Sequence, residues 1–147
     1  MIQIVEMSVD HIEQIALLER MCFSAPWSKN SIASELDNPL SLWLAAMDGE
    51  HLAGYVGSQT VMGETDLLNI AVHPDYRRRG IARELLLALV ERLKQRGSGC
   101  LTLEVRPSNA AARCLYEKLG FVQVGMRPKY YEKPQEDGMI LRKEWSL

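Results

Sequence analysis

Cysteine is scarce in this sequence and offers no pairing pattern. Cys22, Cys100 and Cys114 are scattered over 147 residues. An odd count at wide spacing excludes a secreted disulfide framework and points to a reducing compartment. The three histidines, His11, His51 and His73, lack metal-site spacing with one another or with the cysteines, so no metal is expected. An excess of charge is missing too: 17 basic against 19 acidic residues leave a net charge of −2, which does not suggest a direct nucleic-acid partner. No apolar run approaches the ~20 residues that cross a bilayer, and no charged-then-apolar segment opens the chain. A cytoplasmic protein with no membrane partner is expected. No repeat, low-complexity tract or linker divides residues 1–147, so one domain is expected. The 47% apolar and 24% charged residues are ordinary globular values.

What is present is organised around Leu68–Arg83. Leu68-Asn69-Ile70-Ala71-Val72 reads as a buried strand, and His73-Pro74 ends it. From Ile81 the apolar residues recur at helical spacing, through Leu85, Leu89 and Leu93. Between them lie Arg77, Arg78, Arg79 and Gly80. A helix start presents unpaired N–H groups and the positive end of the macrodipole. Glycine admits close backbone approach, and arginine forks suit phosphate oxygens. The stretch reads as a phosphate or pyrophosphate cradle, with a solvated basic face as the alternative. It is neither a Walker loop nor a dinucleotide fingerprint, because the Gly-Lys-Ser/Thr run and the three spaced glycines are absent.

Taken in order, the chain predicts a first strand over Ile2, Ile4 and Met7. Ser8 caps a helix to about Met21, with Ile12, Ile15, Leu18 and Met21 facing the core. Pro26 breaks the pattern and Ser28 caps a second helix to about Leu36. Trp27, between them, is either a core plug or the wall of a groove. Strands at Leu42–Met47 and about His51–Val61 flank an Asp48-Gly49 turn, with Gly54 and Gly57 marking bends or close approaches. The central strand and helix follow, closed by Gly97. A strand over Leu101–Val105 comes next, then a short helix capped by Ser108 or Asn109 and closed at Gly120 and Phe121. Two last strands, about Val122–Tyr131 and Met139–Trp145, are joined by a loop carrying Pro134 and Gly138. The order β-α-α-β-β-β-α-β-α-β-β predicts an α/β fold with a mixed sheet.

Two motifs carry a family resemblance. Arg77-x-x-Gly80-x-Ala82 resembles the Gln/Arg-x-x-Gly-x-Gly/Ala motif of the Gcn5-related N-acetyltransferases, the GNAT family. Asn109-x-x-Ala112-x-x-Leu115-Tyr116-x-x-x-Gly120-Phe121 is similar to that family's second motif at every listed position. The resemblance implies a GNAT fold in which the strands at Leu68–Val72 and Leu101–Val105 splay apart. It also implies acetyl-CoA as co-substrate. Its pantetheine arm would pair with the strand edge at Ile70, Ala71 and Val72. Backbone N–H groups at Arg78, Arg79, Gly80, Ala82 and Arg83 would hold its pyrophosphate and Asn109 would contact the pantetheine arm, with Arg77, Ile81 and Tyr116 also in the cofactor site. Ala82 stands where glycine is commoner. The resemblance further implies Glu104 as general base and Tyr116 as general acid. The residues alone instead favour Glu104 as a surface or salt-bridged strand carboxylate, with Arg106 as a candidate partner, and Tyr116 as a half-buried packing tyrosine.

Within the family the likeness is to bacterial members that acetylate the N-terminal alanine of a small-subunit ribosomal protein. It rests on Phe23-x-x-Pro26-Trp27-Ser28, Asn69–Val72, Leu103–Ala112 and Tyr130-Tyr131 with Glu136-Asp137. It implies a ribosomal protein N-terminus as partner, bordered by Phe23, Trp27, Tyr130 and Tyr131. Gly138-Met139 departs from the usual Glu-Asp-Ala continuation. Alternation along a strand predicts that Tyr130 and Tyr131 face opposite ways. Glu136 and Asp137 either attract a basic peptide or solvate a turn. Cys114, with no histidine beside it in sequence, reads as packing. A GNAT acting on a small amine, or a non-catalytic acyl-CoA-binding module, are the other readings.

Overall fold

The computed structural model describes residues 1–146. Seven strands form one mixed sheet in the order β1-β2-β3-β4-β5-β7-β6. They are β1 (Ile2–Glu6), β2 (Ser41–Asp48), β3 (His51–Val61), β4 (Glu64–Val72), β5 (Cys100–Val105), β6 (Val122–Glu132) and β7 (Gln135–Glu144). Four helices cover it: α1 (Ile12–Cys22), α2 (Lys29–Glu35), α3 (Ile81–Gln95) and α4 (Ala110–Lys118). Among the described residues no helix is long and apolar enough to cross a membrane.

The period of two along β2 divides the core. Leu42, Leu44 and Ala46 join α3 and Tyr116 in one cluster, while Trp43 and Ala45 join α1 and α2 in another. Six residues of α3, Ile81, Leu85, Leu86, Leu89, Val90 and Leu93, are buried, each worth about 1.5–3 kcal/mol of apolar transfer. Ser98 N–H bonds to Leu93 C=O and Gly97 N–H to Lys94 C=O, closing α3 as the glycine pattern predicts. The end of α4 repeats this: Phe121 N–H bonds to Tyr116 C=O, Gly120 N–H to Glu117 C=O, and the Phe121 ring packs edge-on against Tyr116. Gly57 explains its own presence, because a Cβ there would lie 2.5 Å from the Trp43 ring.

Several local expectations change. A 3-10 turn at Val9–His11 precedes α1, with Ser8 N–H donating to His11 Nδ1. Met21 is half exposed, because the buried stripe of α1 runs Ile12, Ile15, Ala16, Leu18 and Glu19 and leaves Met21 off it. β7 starts at Gln135, four residues before the expected Met139, so Gly138 lies in the strand and not in a loop. Ile70 and Val72 are only half buried, for a reason that lies in their neighbour strand. Cys114 is exposed, so it does not pack.

Candidate active site

The parallel strands β4 and β5 touch at only two pairs, Thr65↔Leu101 and Asp66↔Thr102. Beyond Asp66, β4 stays paired to β3 on its other edge as far as Val72, and β5 to β7 as far as Val105. A wedge therefore opens between them. The β4 edge from Leu67 to Val72 presents unpaired N–H and C=O groups, which accept an extended ligand as an added strand. The same opening leaves Ile70 and Val72 half exposed.

Gly80 and the start of α3 follow the end of β4. Gly80 has φ +73°, and a Cβ there would meet no heavy atom within 4 Å. Glycine is needed here for the left-handed turn, not for room within the chain. Arg78 is also left-handed, with φ +66°. Alternating backbone hands of this kind turn successive N–H groups towards one point. Arg77, Arg78, Arg79 and Arg83 are exposed. Arg79 lies 5.1 Å from the centroid of the Tyr76 ring, and the Tyr76 hydroxyl donates to Asp48 at 2.7 Å, which steadies the loop. The residues fit a pyrophosphate on this turn and a pantetheine arm along β4. Gly80→Ala is expected to weaken acetyl-CoA binding about tenfold, the order of the 1–2 kcal/mol that a Cβ costs in the left-handed region. Isothermal calorimetry with the co-substrate checks this.

Glu104 lies on β5 beside the wedge, and 22% of its side chain is exposed. Its ion-pair partner is Arg127 of β6, at 3.1 Å, and not Arg106. Arg106 instead pairs with Glu136 at 3.4 Å and donates to Pro134 C=O at 2.7 Å. Glu136 also accepts from Ser108 N–H at 2.7 Å and Ser108 Oγ at 2.8 Å. The Ser108 bonds hold the Glu136 carboxyl below its ordinary range. Glu136 thus tethers the β5–α4 loop to the β6–β7 hairpin. Asp137 accepts from Lys129 N–H at 2.8 Å. Neither carboxylate merely solvates a turn.

Tyr130 and Tyr131 do not face opposite ways. Their rings meet edge-on at 4.9 Å. The register slips between Arg127 and Tyr131, and Lys129 takes φ +53°, so a bulge overrides alternation. Gly138 contributes: a Cβ there would come within 3.1 Å of Tyr130. Burial, then the Glu104 carboxylate, pushes the Tyr130 phenol up. Tyr131 is pushed up to about 12 by burial, with Tyr130, Glu104 and Tyr116 adding to it. Arg106 stacks on its ring at 4.3 Å. Tyr131 is therefore within electrostatic reach of both Glu104 and Tyr116. Tyr116 is 6% exposed, and burial pushes its phenol up to about 12.

Asn109 caps α4 by accepting from Ala112 N–H at 3.2 Å. Phe23 and Trp27 lie in the other cluster, on the α1 side. The Trp27 ring is edge-on to Trp43 at 5.3 Å, which favours the plug over an open groove wall. Sequence reasoning missed Arg127, the tether at Glu136 and the buried carboxylate of Glu19. For Glu19 a signal existed: it occupies the apolar stripe of α1, four residues after Ile15.

A splayed β4–β5 pair leading into a glycine-turned, arginine-rich helix start defines an acyl-CoA-dependent acyltransferase. The chain matches the family model of the acetyltransferase (GNAT) family over residues 12–121, and it belongs to that family as an acetyl-CoA-dependent N-acetyltransferase. It is similar to the ribosomal protein bS18-alanine N-acetyltransferase of Escherichia coli (strain K12), at 41% identity over 82% of this chain and 80% of that one. It is 42% identical to the Salmonella typhimurium enzyme of the same name, over 84% of each chain. The crystal structure of the Escherichia coli ribosomal-protein-S18-alanine N-acetyltransferase superposes with a TM-score of 0.91 at 36% identity, covering all of this chain and 96% of that one.

Proposed function

We propose that this enzyme acetylates the α-amino group of a protein N-terminus, and that its acceptor is the N-terminal alanine of ribosomal protein bS18. The observation that carries the reading is the cluster in which Arg127 joins Glu104 of β5 to the paired rings of Tyr130 and Tyr131, in a chain 41–42% identical to two enzymes named for that reaction. The acetyl donor lies along the β4 edge at Ile70, Ala71 and Val72, with its pyrophosphate on Arg77 to Arg83 and its arm near Asn109. The acceptor backbone lies against Tyr130 and Tyr131, with Phe23 and Trp27 supporting the α1 side.

Transfer is direct. An α-amine has an ordinary pKa near ~8, so a fraction is neutral at pH 7, whereas a lysine near ~10.4 is almost wholly protonated. The neutral amine attacks the thioester carbonyl, forming the C–N bond. Glu104 takes the amine's proton, directly or through water. The C–S bond breaks, and Tyr116 supplies the proton to sulfur as its charge develops; exchange with solvent then removes the proton from Glu104 and restores that of Tyr116. No cysteine ester is needed.

Mass spectrometry on the enzyme with acetyl-CoA and a peptide copying the bS18 N-terminus tests this. One acetyl group on the free α-amine is expected, and none on a lysine-containing control with a blocked N-terminus. Transfer to small amines alone, or to the control, overturns the reading.

A further inference from the structure

Glu19 has no exposed surface and sits on α1 in a cluster of apolar side chains. Carboxylates are almost never buried so completely without a partner, and the partners here are three donors, none of them a cation. Trp27 N–H donates to Oε1 at 2.8 Å. Asn69 Nδ2 donates to Oε2 at 2.6 Å. The Tyr55 hydroxyl donates to the same oxygen, and burial, then Glu19, pushes that phenol far up.

Each donor comes from a different element. Trp27 belongs to the loop between α1 and α2. Tyr55 is on β3. Asn69 is on β4, next to the point where β4 slips register against β3 at Gly57/Ser58, and just past the last pair with β5. One side chain thus joins the acceptor-side loop to the stretch of β4 that bounds the wedge. An apolar residue there would leave three donors without acceptors, at a cost beyond what packing returns.

We propose that Glu19 is a positioning residue of the transfer site. Its carboxylate ties the loop carrying Trp27 to the bulged part of β4 and so holds in place the surface on which the acceptor peptide binds. The proposal rests on the reading of the enzyme as an N-terminal acetyltransferase. The chemistry explains why a carboxylate is used: three donors and no acceptor converge on it. Glutamine keeps the size, but it places an NH₂ group against Asn69 Nδ2. Asn69 must then rotate its amide or lose the bond.

Glu19→Gln is expected to raise the peptide KM roughly tenfold, the effect of losing one hydrogen bond to a charged group. The Kd for acetyl-CoA and kcat are expected to stay within about twofold, inside the scatter of such comparisons. Amide hydrogen exchange at Trp27 should quicken in the same variant. Adding Asn69→Asp restores a donor–acceptor pair of reversed polarity and should recover most of the KM. Asn69→Ala, which leaves Glu19 its other two donors, should show the same KM effect, and it decides the matter if Glu19→Gln does not fold. An unchanged peptide KM overturns the proposal. So does a KM rise that Asn69→Asp does not rescue and that follows a fall in melting temperature, since that assigns Glu19 to stability alone. If the unaltered enzyme acetylates no peptide, the N-terminal reading fails instead, and exchange at Trp27 still reports whether the tie exists.

Discussion

Glu104→Gln is expected to lower kcat by about 10²- to 10⁴-fold, the usual contribution of a positioned general base. Acetyl-CoA affinity should be retained, because the turn at Arg77–Gly80 proposed to hold the pyrophosphate and the open edge of β4 belong to other elements. The substitution keeps the shape of the side chain and removes its ability to take a proton. It also breaks the 3.1 Å ion pair with Arg127. That pair is partly exposed, with 56% of the arginine side chain open to solvent, so its loss should cost at most about 1 kcal/mol of stability. The two effects therefore separate by size. Steady-state kinetics with calorimetric acetyl-CoA binding reads both. If kcat falls by less than about threefold, far below what general-base catalysis supplies, Glu104 serves only as the partner of Arg127.

Tyr116→Phe should cost nearly as much, about 10²-fold or more in kcat, with little change in either substrate's binding. The buried phenol is pushed up to about 12, so it holds its proton near neutral pH. The rate is then expected to rise with pH as the α-amine, near ~8, becomes neutral, and to show no alkaline fall from this residue below about pH 10. A thiolate, whose conjugate acid has a pKa of about 8.5, is a weaker base than such a phenolate. Tyr116 therefore acts best by hydrogen-bonding sulfur while the C–S bond breaks, passing its proton only as the charge on sulfur peaks. The same shift has a stability signature. Unfolded tyrosine ionises near ~10 while folded Tyr116 does so near 12, so the fold loses stability as pH rises between those values. Tyr116→Phe should remove part of that alkaline loss in a pH series of urea melts. An unchanged kcat in Tyr116→Phe would leave this residue a packing role against Phe121.

Local rules carried the elements because each has a short-range cause. Ser28 caps α2 through its side chain on Ser31 N–H. Gly97 and Gly120 end α3 and α4 through positive φ. The four-residue spacing from Ile81 to Leu93 places α3 on the sheet. The motif residues Gly80 and Asn109 were legible as a left-handed turn and a helix cap for the same reason, since each shapes the backbone within a turn of its own position. Where the sequence misled, a distant contact had overridden a local rule. Strand alternation failed at Tyr130 and Tyr131 because a bulge and Gly138 turn both rings to one side. Arg106 was the wrong partner for Glu104, because the choice depends on how β6 and β7 fold back over β5.

The sequence by itself determined the element order, most helix ends, the glycine-turned, arginine-rich loop at Arg77–Gly80 and the family. These follow from backbone preferences and patterns a few residues long. Only the tertiary structure decided that β4 and β5 part after Asp66, that Arg127 meets Glu104, that Glu136 ties a loop to a hairpin, and that Glu19 gathers donors from three elements. Those contacts span separations such as the 50 residues between Glu19 and Asn69. Over such distances, partners are chosen by the packing of the whole sheet and not by the neighbours of either residue.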